Sequence, residues 1–138
     1  MARIKETTNA ELWTQSADAE RKYKLNRMMG VWEYGLGKKI LHFGGNSGYQ
    51  AVNLAFLFGA ARIILLGFDM QRTNDQPHFF GKHPYHGDKS TPSKDLLKDW
   101  VEKFKVLAKD LEAEQVEVIN ATRETSLTCF KRLSIDQC

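Results

Sequence analysis

The sequence predicts an α/β fold with a short parallel sheet, and three observations carry that prediction. Residues 39–70, KILHFGGNSGYQAVNLAFLFGAARIILLGFDM, run from an apolar stretch through a glycine turn and a helix-period segment into a second apolar stretch. That order is a βαβ unit, which is right-handed and builds parallel sheets. Farther on, Leu97, Trp100, Val101, Phe104, Leu107, Ala108 and Leu111 recur at the i, i+3, i+4, i+7 spacing of an amphipathic helix. A third short run, Gln115-Val116-Glu117-Val118-Ile119-Asn120, follows as the next strand would.

Two parts are expected: a helical N-terminal segment over residues 1–38 and an α/β domain over residues 39–138. Thr8-Asn9-Ala10-Glu11 fits a capping box. The helix formers Ala17, Ala19, Glu20, Arg21, Lys22, Lys24, Leu25 and Met28 then carry one or two helices to about Met29, with Gly30 as the stop. Residues 31–37 are aromatic and glycine-rich and read as a loop into the first core strand. Trp32 and Tyr34 could stack there on a ligand, although aromatics beside a core more often pack.

In the α/β part, strands are expected over residues 40–43, 62–66 and 116–119, with helices near residues 48–58 and 94–112. Ala51, Val52, Leu54, Ala55, Leu57 and Phe58 mark the apolar positions of the first helix, and Gly59 ends it. Thr91 as cap and Pro92 at the first helical position start the second. Residues 127–138 read as a short helix or an irregular tail.

The chemistry follows from this topology. Ligands of open parallel sheets bind outside the carboxyl ends of the strands. Gly44, Gly45 and Gly48 let backbone N–H groups approach a ligand with no Cβ in the way. Asn46 or Ser47 can cap the helix that follows, and its dipole favours an anion such as phosphate. Asp69 lies 21 positions after Gly48 (69 − 48), near the spacing of about 20 for a carboxylate that holds ribose hydroxyls. Turn and acid together point to a nucleotide or phosphate site. Alone, the glycines would make a tight turn and Asp69 would cap a loop. The pattern is G-G-x-x-G, neither a P-loop nor a dinucleotide fingerprint.

Asn120, Thr122 and Ser126 fall at the carboxyl end of the third strand, on the same edge, where turn and cap chemistry is the competing role. The aperiodic stretch 71–91 leaves that edge with His78, His83 and His86. A loop of this length in a compact domain is usually functional or mobile. His78 and His83 are the candidate acid–base groups, since imidazole titrates near neutral pH. The three histidines and Asp88 could bind a transition metal, but the H-x4-H-x2-H spacing matches no zinc pattern, so surface or satisfied histidines are the expected reading and no metal ligand is assigned.

The bulk properties fit such a protein. The 138 residues are enough for one domain with a core, and 42% hydrophobic with 27% charged is ordinary globular composition. A net charge of +3, with both signs intermixed, argues against specific nucleic-acid binding. Cys129 and Cys138 lack metal-ligand spacing, which suits a reducing cytoplasm. No apolar run is long enough to span a membrane, and the N-terminus has no signal-peptide core.

The runs N-S-G-Y-Q-A-V-N-L-A, G-A-x-R-I-I-L-L-G-F-D-M, H-F-F-G-x-H-P and V-E-V-I-N-A-T-x-x-[ST]-x-L-x-x-F resemble a group of bacteriophage and bacterial proteins. That group is related to the motility accessory factor and 6-hydroxymethylpterin diphosphokinase-like family. More remotely it is similar to bacterial sialyltransferases that use CMP-sialic acid. The resemblance covers residues 39–138 and implies a Rossmann-like three-layer fold. It implies that Asn46, Ser47 and Gly48 contact a nucleotide and that Gly67 to Asp69 line the same pocket. A histidine farther along the chain serves as base in the sialyltransferases. Family members usually open with a strand ending in G-x-G-P-S, and residues 1–38 contain no match to it.

The expected function is nucleotide or phosphate binding by a Rossmann-like protein, as a glycosyl- or diphosphoryl-transferase-like domain with a nucleotide donor and Mg²⁺. The alternative is a non-catalytic phage assembly or ligand-binding module that kept the fold and lost the chemistry. The missing first motif leads to a further expectation. The chain is either a truncated relative or completed by a partner, and a two-fold homodimer through part of residues 11–34 would cover the open sheet.

Overall fold

The computed structural model describes residues 10–72 and 92–138. These form a mixed α/β structure with three α-helices and short parallel sheets. In chain order the elements are β1 (Trp13–Thr14), α1 (Ala17–Tyr23), β2 (Asn26–Arg27), β3 (Gly30–Val31), β4 (Leu41–His42), α2 (Ser47–Leu57), β5 (Arg62–Leu65), α3 (Lys94–Ala113), β6 (Glu117–Asn120) and β7 (Lys131–Arg132). A 3₁₀ turn, Ile135–Gln137, follows. The strands pair as β1-β2, β3-β4 and β5-β6-β7, and every pairing is parallel.

α3 is the helix its apolar spacing predicts. Ser93 caps it, its side chain accepting from Leu96 N at 3.1 Å. Phe104, Leu107 and Leu111 are fully buried against Ile63, Leu65 and Val118 of the sheet. Each such side chain contributes about 1.5–3 kcal/mol relative to exposure, so this one face dominates the stability of the sheet. β5 and β6 run in register from Arg62↔Glu117 to Leu65↔Asn120.

Several expectations are corrected. The N-terminal helix does not reach Met29: it stops at Tyr23, where Lys24 turns left-handed at φ 51°. Ser16 caps its start by accepting from Ala19 N. Thr8 and Asn9 of the expected capping box lie outside the described residues. The chain then extends, and β2 pairs with β1 across the short helix.

Gly30 is a strand residue, not a helix stop. A Cβ there would lie 2.6 Å from Leu41 O and 2.2 Å from the Phe43 ring, so only glycine lets β3 lie against β4. Consequently β4 pairs with β3 and not with β5. The third strand of the main sheet comes from the expected tail, as β7 beside β6. Leu127 and Phe130 carry that segment into the core.

α2 buries only part of the face its aliphatics suggest, with Val52 inside and Ala55 packed on the core. Tyr49, Val52 and Asn53 are inside, while Ala51 is exposed and Phe58 is 56% exposed. The reason lies in the preceding loop. Residues 35–37, read as a linker, are buried. The Tyr49 hydroxyl accepts from Gly35 N at 2.6 Å and donates to Gly35 O at 2.9 Å. Asn53 accepts from Gly37 N and His42 N and donates to Gly37 O at 2.8 Å. Asp110 of α3 accepts from Leu36 N at 2.8 Å. A buried backbone must find partners, and here polar side chains of two helices supply them.

Candidate functional site

The turn after β4 is built by two left-handed glycines, Gly44 at φ 58° and Gly45 at φ 93°. Gly44 donates its N–H to Glu33 O at 2.9 Å. The Tyr49 ring fills the space where a Gly44 Cβ would stand, 2.1 Å from it, so Gly44 is buried and serves the fold. Gly45 is exposed. Asn46 is the N-cap of α2, its Oδ1 accepting from Tyr49 N at 2.9 Å, and Ser47 opens the helix exposed to solvent. Gly48 lies against the Phe68 ring: a Cβ there would stand 2.9 Å from Phe68 Cε1.

That last contact joins the two halves of the site. Phe68 follows β5, and Ser47 and Asp69 each stand one residue from the Gly48–Phe68 contact. Gly67 is left-handed at φ 73°, with open space beside it, and Asp69 is exposed. The segment is pinned from β6. Thr122 Oγ1 accepts from Phe68 N at 2.9 Å, Thr125 Oγ1 donates to Phe68 O at 2.6 Å, and Ser126 N donates to Asp69 O at 2.9 Å.

Asn120 and Thr122 therefore sit on the expected edge but are buried, with side chains turned to backbone. Asn120 Oδ1 accepts from Thr122 N at 3.0 Å and its Nδ2 donates to Leu127 O at 3.1 Å. They position Phe68 and Asp69 and offer little to a ligand directly. His78 and His83 lie within residues 73–91, outside the described residues. Among the described residues no group of three or more His, Cys, Asp or Glu is placed to hold a metal ion.

Sequence reasoning missed two side chains. A Cβ on Gly45 would lie 3.2 Å from Trp100 Nε1 and 3.5 Å from Lys103 Nζ, so α3 faces the exposed part of the turn. Trp100 belongs to the apolar stripe of α3, and helical spacing cannot show that it and Lys103 meet a glycine 55 and 58 residues earlier (100 − 45 and 103 − 45). Lys103 also pairs with Asp99 at 2.6 Å. On the other flank, Trp32 is 84% exposed and rests edge-on against Phe43, with centroids 5.0 Å apart. Two nitrogens bracketing the turn, His42 Nδ1 and Asn46 Nδ2, are shut off from solvent with no hydrogen-bond partner.

A separate groove of about 650 Å³ runs between the C-terminal half of α3 and β6–β7, past Lys105, Lys109, Val116, Cys129 and Lys131. It contains none of the residues above. Burial pushes the Cys129 thiol up to about 11, so it is a poor nucleophile at neutral pH. No helix among the described residues is long and apolar enough to cross a membrane. No family model, no curated protein and no solved structure matches the chain.

Proposed function

We propose that this protein binds a nucleotide or a phosphorylated small molecule at the turn formed by Gly44, Gly45, Asn46, Ser47 and Gly48, with Gly67 and Asp69 beside it. The observation that carries the reading is the Gly48–Phe68 contact, which brings the turn and the acid-bearing segment together from opposite ends of a strand–helix–strand unit. Exposed backbone at Gly45 and the start of α2 favour an anion, and Asp69 is free to meet ribose hydroxyls. Trp32, exposed beside Phe43, offers a face for a planar ring. The proposed architecture is Rossmann-like and three-layered, in line with the family resemblance of residues 39–138. The proposed setting is the cytoplasm of a bacterial or phage-infected cell.

Two forms of this function are distinguishable. In the first the domain transfers a glycosyl or diphosphoryl group from a nucleotide donor, with His78 or His83 as base. Any Mg²⁺ would then arrive on the donor's phosphates, with Asp69 as a protein carboxylate toward it. In the second the chain binds the ligand without turnover, as an assembly or binding module. The backbone bonds of Asn120 and Thr122 favour the second, because they remove two polar groups from the reacting edge. Thermal melting with CMP, CTP, ATP and GTP, with and without Mg²⁺, tests the reading: a ligand that binds only the folded state raises Tm. A flat response to all four would remove it. A homodimer through part of residues 11–34 is also proposed, with Met29 and Tyr34, 66% and 60% exposed, in its interface and Trp32 left to the ligand. Light scattering that returns a monomer mass of 15.8 kDa would exclude it.

A further inference from the structure

We infer that Lys103 and Trp100 of α3 are ligand-binding residues, and that the group they hold against Gly45 is a terminal phosphate. The inference rests on the phosphate reading of the turn and specifies it. Two observations meet at Gly45, and a third lies at the next residue. Gly45 is exposed and left-handed, so its backbone is open to a ligand that no side chain would clear. The indole nitrogen of Trp100 and the ammonium of Lys103 stand 3.2 and 3.5 Å from the position a Gly45 Cβ would take. Both come from a different helix, so the spot is a junction of two elements and not merely a helix end. Asn46 Nδ2, one residue on, is an amide donor with no acceptor in the protein.

The chemistry selects the ligand. An indole N–H donates and cannot accept, and an ammonium carries three donors and a full positive charge. The two polar atoms nearest the Gly45 Cβ position are therefore both donors, which favours an acceptor-rich anion. A terminal phosphate presents three oxygens and close to two negative charges, whereas a bridging phosphate presents two free oxygens and one charge. The first matches the number of donors and the ammonium better. Lys103 is 27% exposed and its current counter-ion is Asp99 at 2.6 Å, a more exposed group. An arriving phosphate competes with that carboxylate for the ammonium, so Asp99 weakens binding in proportion to its charge.

Phosphorus NMR and calorimetry with inorganic phosphate, CMP and cytidine test the inference on the full chain. Wild type should bind CMP and phosphate and bind cytidine far more weakly. Lys103→Met should lower CMP affinity about ten- to a hundredfold, the worth of a charged hydrogen bond. Trp100→Phe keeps the ring and removes the N–H, and should cost about two- to tenfold. Asp99→Asn should tighten binding by up to about fivefold. Lys103→Arg, which retains the charge, should recover part of the loss. Unchanged melting of each variant in the absence of ligand separates lost binding from lost fold. If CMP binds wild type and Ser47→Ala weakens it while Lys103→Met and Trp100→Phe stay within twofold, the inference is overturned and the nucleotide reading survives. If cytidine binds as well as CMP, the phosphate assignment is overturned. If wild type binds none of phosphate, CMP, CTP, ATP or GTP, the nucleotide reading fails and the inference fails with it.

Discussion

Two glycine-rich turns, residues 35–37 and 44–48, lie within a few residues of one another in sequence and are used in opposite ways. The first is buried, and its backbone groups are bonded by Tyr49, Asn53 and Asp110. The second carries exposed Gly45 and Ser47, a solvent-excluded amide nitrogen without a partner, and donors from α3 that face it. Glycine content does not distinguish them. The difference is where the backbone stands: all three residues of the first turn are buried, while the second exposes Gly45 and Ser47. The first turn should govern stability and the second should govern binding.

The comparison breaks most readily at Asn53. Its carboxamide makes three hydrogen bonds to backbone and is fully buried. Asn53→Ala leaves those groups unsatisfied and should cost about 3 kcal/mol or more in urea denaturation. A loss below about 1 kcal/mol would mean that the first turn is not structural.

Tyr49 sharpens the point through pH. Burial pushes its hydroxyl up to about 12 from an ordinary 10, so the folded state holds the proton more tightly than the unfolded chain. Its contribution is complete below pH 10 and is lost as pH rises from about 10 to about 12. The loss is on the order of 3 kcal/mol, from about 1.4 kcal/mol per unit. Tyr49→Phe should flatten stability over that window and cost about 1–2 kcal/mol at neutral pH. Retention of the full slope in the variant would assign it to another group.

Thr122 lies between the two regimes. Thr122→Val removes the acceptor of Phe68 N and should cost about 1–2 kcal/mol of stability, while loosening the segment that carries Asp69. The smallest effect is expected at Ser47. Ser47→Ala should leave stability within about 0.5 kcal/mol and weaken ligand binding by about 0.5–1.5 kcal/mol. A larger loss of stability than of binding there would reverse the assignment of the second turn.

These expectations show where sequence reading succeeds. α3 was legible because seven apolar residues repeat at helical spacing, and that period has one solution. The turn was legible because Gly44, Gly45 and a capping Asn46 before an apolar run dictate their own backbone. The expected span of α2 agrees within one residue, but its apolar pattern identifies only part of the buried face. Asn53 counts as polar in any periodicity, and only the chain folded against it makes it interior. Glycine commonly ends helices, but Gly30 instead lies in a strand, where the Phe43 ring stands against it.

By itself, the sequence determined the α/β class, the helix that covers the β5–β6 sheet, the glycine turn and its cap. All of these are local, set by spacing within a few residues and by glycine's access to positive φ. Only tertiary structure decided which strands pair, which polar residues turn inward, and which side chains of α3 meet the turn. β7 joins β6 and β4 joins β3 because β-pairing depends on which edges meet, and two-residue strands carry almost no pattern of their own. Trp100 and Lys103 reach Gly45 only because packing Phe104, Leu107 and Leu111 against the sheet sets the rotation of the helix. A residue's position on a helix is written in its own neighbourhood; what that position faces is set by the apolar contacts of the whole domain.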